Sequence, residues 1–395
     1  MSFSPSMDKY FLEIEILSPT CIEGVDNLGG SDSTKYHSYE YIIDDDAIYF
    51  IKEEDILNLL NIGILKEEDL DKKYDELLEK IKNMKEAKKY LEIIKLKNKL
   101  ENKIELSRFS KSVIIDDNHV KQVPTIFGST VKGMLRTGFI AAKDINMQYY
   151  FKRRGKNLVL QYNMENKSKN KENRQKNQQK QLERKLTNIK DYNVKIKDKN
   201  YQGSDIIELI FKNIVCCDLK LYEGEMIVEK IDRIDRRKKT KRNANKGIPQ
   251  YFETPNIGSI FKGEIYYKYY DKNRKAITLF QCLNKQNDYI TPVEEAFAGL
   301  KKMANKIIKV ERRMLKDTKS QDTNTVENFY DMLLEKNNEE NQFVFKLGHS
   351  GILSKSFMVF DNKNINNNDF IPYTINVSAS SGIPTGWVRI KWDIE

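Results

Sequence analysis

The amino-acid sequence predicts an α+β protein with mainly antiparallel sheets, arranged as two domains with insertions. Three observations carry that expectation. At 395 residues the chain is long enough for two or three domains, each with its own core. Its 39% apolar content is that of a globular chain. Stretches of strand and helix character alternate along it without the long run of regular βα units that a doubly wound fold requires.

Taken in order, residues 10–17, YFLEIEIL, alternate Leu12, Ile14 and Ile16 with Glu13 and Glu15, the period of a half-buried strand. In the following SPTCIEGVDNLGGSDSTKYHS, Gly24, Gly29 and Gly30 favour a loop, and YEYIIDDDAIYFI then divides into two short strands about a solvated acidic turn. EEDILNLL opens a helical region, and residues 66–106, dense in Lys and Glu with recurring Leu and Ile, extend it as a helical insertion. SVIIDDNHV supplies a further strand or hairpin. Residues 163–190 hold almost no apolar side chains before Leu182 and mark a boundary. The expected domains are therefore 1–162 and 205–395, with 163–204 a basic low-complexity linker or insertion. Past it, DIIELIFKNIVCCDLKL and EMIVEKIDRID are apolar runs of strand or helix type, and YFETPNIGSIFKGEIYYKYY is β-rich, broken by Gly258 and Gly263. A helix is expected around 292–316, then a glycine turn with helix or strand in FVFKLGHSGILSKSFMVF, and a last strand in GIPTGWVRIKWDI.

Lys+Arg 68 against Asp+Glu 58 gives a net charge of +10, and the excess is local. Residues 166–190 carry nine bases and two acids, and residues 230–242 carry eight bases and two acids. A polyanion would meet these two patches, the second centred on Arg236, Arg237, Lys238 and Lys239 in IDRIDRRKKTKRN. Cys21, Cys216, Cys217 and Cys282 form no CxxC pair and have no histidines at zinc spacing, so a reduced chain without metal or cofactor is expected, with Cys216 and Cys217 as small buried residues. The amino end lacks a signal peptide's charged start and long apolar core, and no run approaches the ~20 apolar residues of a membrane span. A cytoplasmic location is expected.

The stretch IFGSTVKGMLRTGFIAAK, residues 126–143, reads as a helix entry: Ser129 or Thr130 can cap it, and Val131, Met134, Leu135 and Phe139 recur at helical spacing. Its first turn would point free N–H groups outward, and Gly128 and Gly133 would let a ligand's backbone approach closely. Lys132 and Arg136 stand four apart and can reach one phosphate path. An ordinary capped helix with two solvated cations is the competing reading, and the spacing is not that of a Walker loop.

Read together, LSPTCIEG, IFGSTVKGMLRT, IPQYFETPNIGSIFKGEI and GIPTGWVRI resemble the RAMP superfamily of CRISPR proteins, whose characteristic phrase is close to PGSSxKGxxR. Their order is similar to that in the fifth subunit of type III-A Csm effector complexes, which caps the end holding the guide RNA's 3′ portion. Phe127 stands where the family phrase commonly has proline, and Cys21 where many members have histidine. LGHSGILSKS, with Gly348 and Gly351, resembles a degraded form of the family's glycine-rich loop near the carboxyl end. The resemblance implies two ferredoxin-like (RRM-like) domains and RNA-backbone binding through glycine-rich elements, here Gly128, Ser129, Thr130, Lys132, Gly133 and Arg136. It further implies a non-catalytic subunit that caps the guide RNA (crRNA) and assists its maturation in antiviral defence. The implied partners are other Csm-type RAMP subunits and host nucleases that trim the 3′ end, with no membrane.

Two alternatives stay open. A different type III RAMP subunit would share the same helix phrase. A metal-independent guide-processing endoribonuclease would need a general acid or base, for which His37, beside Lys35 and Tyr36, is the candidate. The other histidines, His119 and His349, sit in no recognised nucleophile or metal motif.

Overall fold

A computed structural model of the chain describes residues 6–23, 34–44, 47–97, 104–116, 119–142, 151–154, 157–160, 194–196, 199–201, 208, 210–235, 240–241, 250–269, 290–316, 323–348 and 374–395. In the first part of the chain the strands are β1 (Ser6–Ile16), β2 (Tyr41–Asp44), β3 (Ala47–Phe50), β4 (Glu92–Leu96), β5 (Glu105–Ser107), β6 (Lys111–Asp116) and β7 (His119–Ile126). Next come β8 (Phe151–Arg154), β9 (Asn157–Leu160), β10 (Val194–Ile196), β11 (Lys199–Tyr201), β12 (Ile214–Cys216), β13 (Leu219–Glu223), β14 (Met226–Asp235) and β15 (Thr240–Lys241). The remaining strands are β16 (Gln250–Pro255), β17 (Ile260–Tyr269), β18 (Gln342–Lys346), β19 (Thr374–Ser378) and β20 (Trp387–Ile394). Between them lie helices α1 (Glu53–Asn61), α2 (Tyr74–Asn83), α3 (Gly128–Ala142), α4 (Pro292–Lys316) and α5 (Thr323–Asn338).

Two eight-stranded sheets organise these elements, and β8–β9 and β10–β11 form separate hairpins. The first sheet runs β18-β20-β1-β17-β13-β7-β6, with β12 also on β17. Its alternating strand β1 sits centrally, antiparallel to β17 on one side and β20 on the other. Tyr10, Leu12, Ile14 and Ile16 enter the main core, while Phe11, Glu13 and Glu15 face the other way, as a period of two requires. α3, α4 and α5 cover the inner face, where Phe139, Phe297, Leu300 and Tyr330 join those strand residues. Side chains of this size each contribute about 1.5–3 kcal/mol on full burial.

The second sheet runs β2-β3-β4-β14-β16-β5, with β15 and β19 also on β14. It is antiparallel except where β4 meets β14 and β5 meets β16. Two of the chain's passages between the sheets turn at glycines, Gly224 from β13 into β14 and Gly258 from β16 into β17. Both glycines have positive φ, +116° and +89°. Asn256 N–H donates to Glu225 O at 2.9 Å, tying the two crossings together. Both sheets draw strands from either side of residues 163–204.

The expected mix of strands and helices is present, with one correction. Residues 66–106 are not continuously helical: α2 is followed by the strands β4 and β5. The segment EIIKL in β4 has adjacent isoleucines that suit a pleated surface, and pairing with β3 and β14 outweighs the helical appearance of the flanking Lys and Glu. Gly263 lies inside β17 without breaking it, and Asp44 at the acidic turn pairs with Lys88 at 3.1 Å. Among the described residues, no helix is long and apolar enough to cross a membrane.

Two buried charge clusters join elements. Glu311 of α4 meets Lys346 of β18 at 2.6 Å, both side chains 1% exposed, and also accepts from Tyr330 Oη and Trp387 Nε1. Glu253 of β16 meets Lys111 of β6 at 2.6 Å and accepts from Tyr36 Oη and the Phe109 amide. Burial and the Glu253 charge hold the Tyr36 phenol well above its ordinary pKa. Burial pulls the Lys111 ammonium down, but Glu253 and Glu92 more than offset this and leave it raised.

Candidate nucleic-acid interface

The glycine-bearing stretch forms α3, and Val131, Met134, Leu135, Phe139 and Ile140 bury against the core. The helix starts at Gly128, ahead of the two residues expected to cap it, because its cap comes from elsewhere in the chain. Gly128 N–H donates to Asp218 Oδ1 at 2.7 Å. Asp218 lies in Cys217–Asp218, which bulges from β17 between β12 and β13. A Cβ at Gly128 would lie 2.1 Å from Cys216 O, and one at Gly263 would lie 2.7 Å from Leu219 Cγ. These two glycines let the bulge close on the helix from one side and the sheet from the other. Lys132 completes the seat by donating to Ile214 O at 2.8 Å.

The expectation of free N–H groups and an open approach therefore fails at Gly128, where the protein's own carboxylate and backbone take the space. The open approach, though not a free N–H, fits Gly133, which is exposed and, among the described residues, has no atom outside its own helix turn within 4 Å of where a Cβ would be. Ser129, one turn earlier, is also exposed, while Thr130, Lys132 and Arg136 are half-buried. Thr137 Oγ1 returns to Gly133 O at 2.9 Å. At the far end, α3 crosses α4 with backbones in contact: a Cβ at Gly299 would be 1.9 Å from Gly138 O.

Cys216 and Cys217 are half-buried rather than fully buried. Burial pushes the Cys216 thiol up to about 12, with Lys132 pulling partly back, and burial with Glu264 and Asp218 raises Cys217.

Other sequence blocks converge on residues 17–22. Thr20 N–H donates to Thr254 Oγ1, and that hydroxyl donates back to Thr20 O at 2.9 Å. Trp387 N–H donates to Ser18 Oγ, and Gly386 N–H to Pro19 O. Gly348 has φ +69°, and a Cβ there would meet Cys21 O at 2.0 Å, so this glycine is needed for close packing. Ser110 N–H donates to Ile22 O and Thr125 N–H to Ser110 O, which leads directly into the chain before α3. LSPTCIEG is thus the meeting point of three other blocks, and this convergence was not legible from the separate segments.

Of the remaining candidates, Arg236, Arg237, Lys238, Lys239, His349 and Gly351 lie outside the described residues. The basic stretch 166–190 lies there too. Next to the former, Arg233 donates to Gln250 Oε1 at 2.8 Å. The His37 ring stacks on Tyr39 with centroids 5.1 Å apart, and the His37 backbone N–H donates to Glu40 Oε2. Among the described residues, no group of three or more His, Cys, Asp or Glu side chains is placed to hold a metal ion.

The family model of the RAMP superfamily matches residues 13–303, most of the chain. The chain belongs to the RAMP superfamily. No curated protein matches this RAMP chain. Its fold is similar to that of a chain in a cryo-EM structure of a Csm-crRNA-target RNA ternary complex of a type III-A CRISPR-Cas system. That likeness has a TM-score of 0.57 and 16% identity, covering 97% of this chain and 100% of the other. It is also similar to the crystal structure of T. onnurineus Csm5, with a TM-score of 0.56 and 15% identity over 95% and 99% of the two chains.

Proposed function

We propose that this RAMP protein is a non-catalytic RNA-binding subunit of a type III-A CRISPR effector complex. In that role it caps the 3′ region of the guide RNA and assists its maturation, in antiviral defence. The observation that carries this reading is the end-to-end likeness to Csm5 and to a chain of a Csm-crRNA-target RNA complex. Its partners are then guide RNA, other Csm-type subunits and host nucleases that trim the 3′ end. The strand order β20-β1-β17-β13, with α3 before β13 and α4 before β20, supports reading the first sheet as ferredoxin-like. We read the second sheet as the counterpart of a second such domain.

RNA contact is assigned to α3, at Ser129, Thr130, Lys132, Gly133 and Arg136 with Gly128 seating the helix, to Arg236, Arg237, Lys238 and Lys239, and to the loop of Gly348 and Gly351. Contacts to phosphate position RNA without reading bases, which suits a subunit that must accept any guide sequence. Removing this subunit from its complex should leave guide RNAs whose 3′ ends are abnormal in length or less protected from nuclease. Normal length and protection would reject the capping role. Metal-independent cutting of repeat RNA by the pure protein, lost in His37→Ala, would establish the endoribonuclease alternative instead.

A further inference from the structure

We infer that Asp218 is an internal occupant of the α3 N-terminus, holding RNA phosphate away from the helix end and onto the exposed Ser129–Gly133 side. The inference rests on the RNA-binding reading above. A helix start attracts anions through its unpaired N–H groups and the positive end of the helix dipole. Here the Gly128 N–H already donates to the Asp218 carboxylate at 2.7 Å. The backbone of Cys216 lies against Gly128 so closely that a Cβ would be 2.1 Å from its oxygen, so β12 covers the Gly128 side of the helix end. Lys132, the first cation of the helix, turns one N–H to Ile214 O at 2.8 Å on β12, the strand that leads into the bulge. A phosphate at this end would therefore meet a fixed negative charge at hydrogen-bond distance from the helix.

One turn along the helix the surroundings are the opposite. Ser129 and Gly133 are both exposed, and the space over Gly133 is open. A glycine inside a helix weakens it relative to alanine. At Gly133 no packing among the described residues accounts for it, whereas Gly128, Gly138 and Gly299 all face backbone. A ligand whose own backbone comes close over Gly133 gives that bareness a use. Asp218 is a positioning residue in this arrangement, acting through α3.

The test uses the full chain and fluorescently labelled single-stranded RNAs of unrelated sequence, titrated across a salt series. Asp218→Asn keeps an oxygen to accept the Gly128 N–H and removes the charge. The expected result is tighter binding by roughly threefold to tenfold. The plot of log K against log salt should also steepen by about 0.7, the increment for one more phosphate on a single strand. A purely structural role would lower affinity or stability without steepening the slope, and that result overturns the inference. Ser129→Glu puts an acid on the exposed side and should weaken binding with little effect on folding. If Asp218→Asn fails to fold, undiminished binding by Ser129→Glu overturns the proposed path, and weakened binding supports it. Failure of the unaltered protein to bind any of these RNAs would instead overturn the RNA-binding reading itself.

Discussion

Gly128 and Gly133 occupy one helix, and the same substitution should act on them in opposite directions. Gly128→Ala drives a Cβ to 2.1 Å from Cys216 O, backbone that cannot swing aside. It should cost about 1–3 kcal/mol, or more if the Asp218 cap is lost with it, read as a lower urea midpoint. Gly133→Ala meets no neighbour within 4 Å among the described residues outside its own helix turn and should stabilise by about 0.5–1 kcal/mol while weakening RNA binding. The sequence marked both glycines as openings for a ligand. Only Gly133 has that geometry, because the partner of Gly128 lies some 90 residues away, a distance that local spacing does not encode. At Glu311 and Lys346, both 1% exposed, removing one member strands a charge in the core. Lys346→Met should destabilise by about 3–5 kcal/mol, and adding Glu311→Leu should recover part of the loss in the same denaturation assay. Cys216, with its thiol pushed up to about 12 by burial, holds very little thiolate at neutral pH. Folded protein should alkylate there about a thousandfold more slowly than an ordinary cysteine, followed by peptide mass spectrometry. The sign of the pH effect follows: the contribution to stability is full below the unfolded thiol's pKa and is lost as pH rises through the folded value.

Elements with a clear period were legible in the sequence. The alternation of β1, the paired strands β2 and β3, the hairpin β6–β7 and the long helix α4 all match their expected character, because local pattern and tertiary packing agree there. β4 was hidden because its EIIKL sits among charged residues, and its strand state depends on β3 and β14 rather than on its own flanks. The crossing of α3 and α4 was equally hidden, since Gly138 and Gly299 are distant in sequence and neither stands at a turn. At that crossing each glycine opposes the other helix's backbone, with Gly299 bringing a hypothetical Cβ to 1.9 Å from Gly138 O. Gly299→Val should therefore separate the helices. The expected readout is a loss of cooperative unfolding and, through displacement of α3, weaker RNA binding. A well-packed variant with unchanged affinity would show that α3 keeps its position without this contact.

At the scale of the molecule, β1 lies between β17 and β20, and both sheets mix strands from either side of 163–204. Residues 1–162 expressed alone should lack a cooperative thermal transition, and adding 205–395 should restore one. Circular dichroism of the separate and mixed pieces checks both outcomes. The central place of β1 also has a temporal consequence. Leu17 N–H and Ser18 N–H donate to the carbonyl of Trp387, so the residues at the end of the first strand wait for partners nearly the whole chain away. At about 5–20 residues per second, a ribosome needs tens of seconds between making β1 and releasing β20. Until β17 emerges β1 offers two unsatisfied edges, and until β20 emerges it still offers one, with a row of apolar side chains, to whatever is nearby. Nascent chains stalled before residue 387 should stay protease-sensitive and bound to chaperone, becoming resistant only once the last strand has left the exit tunnel.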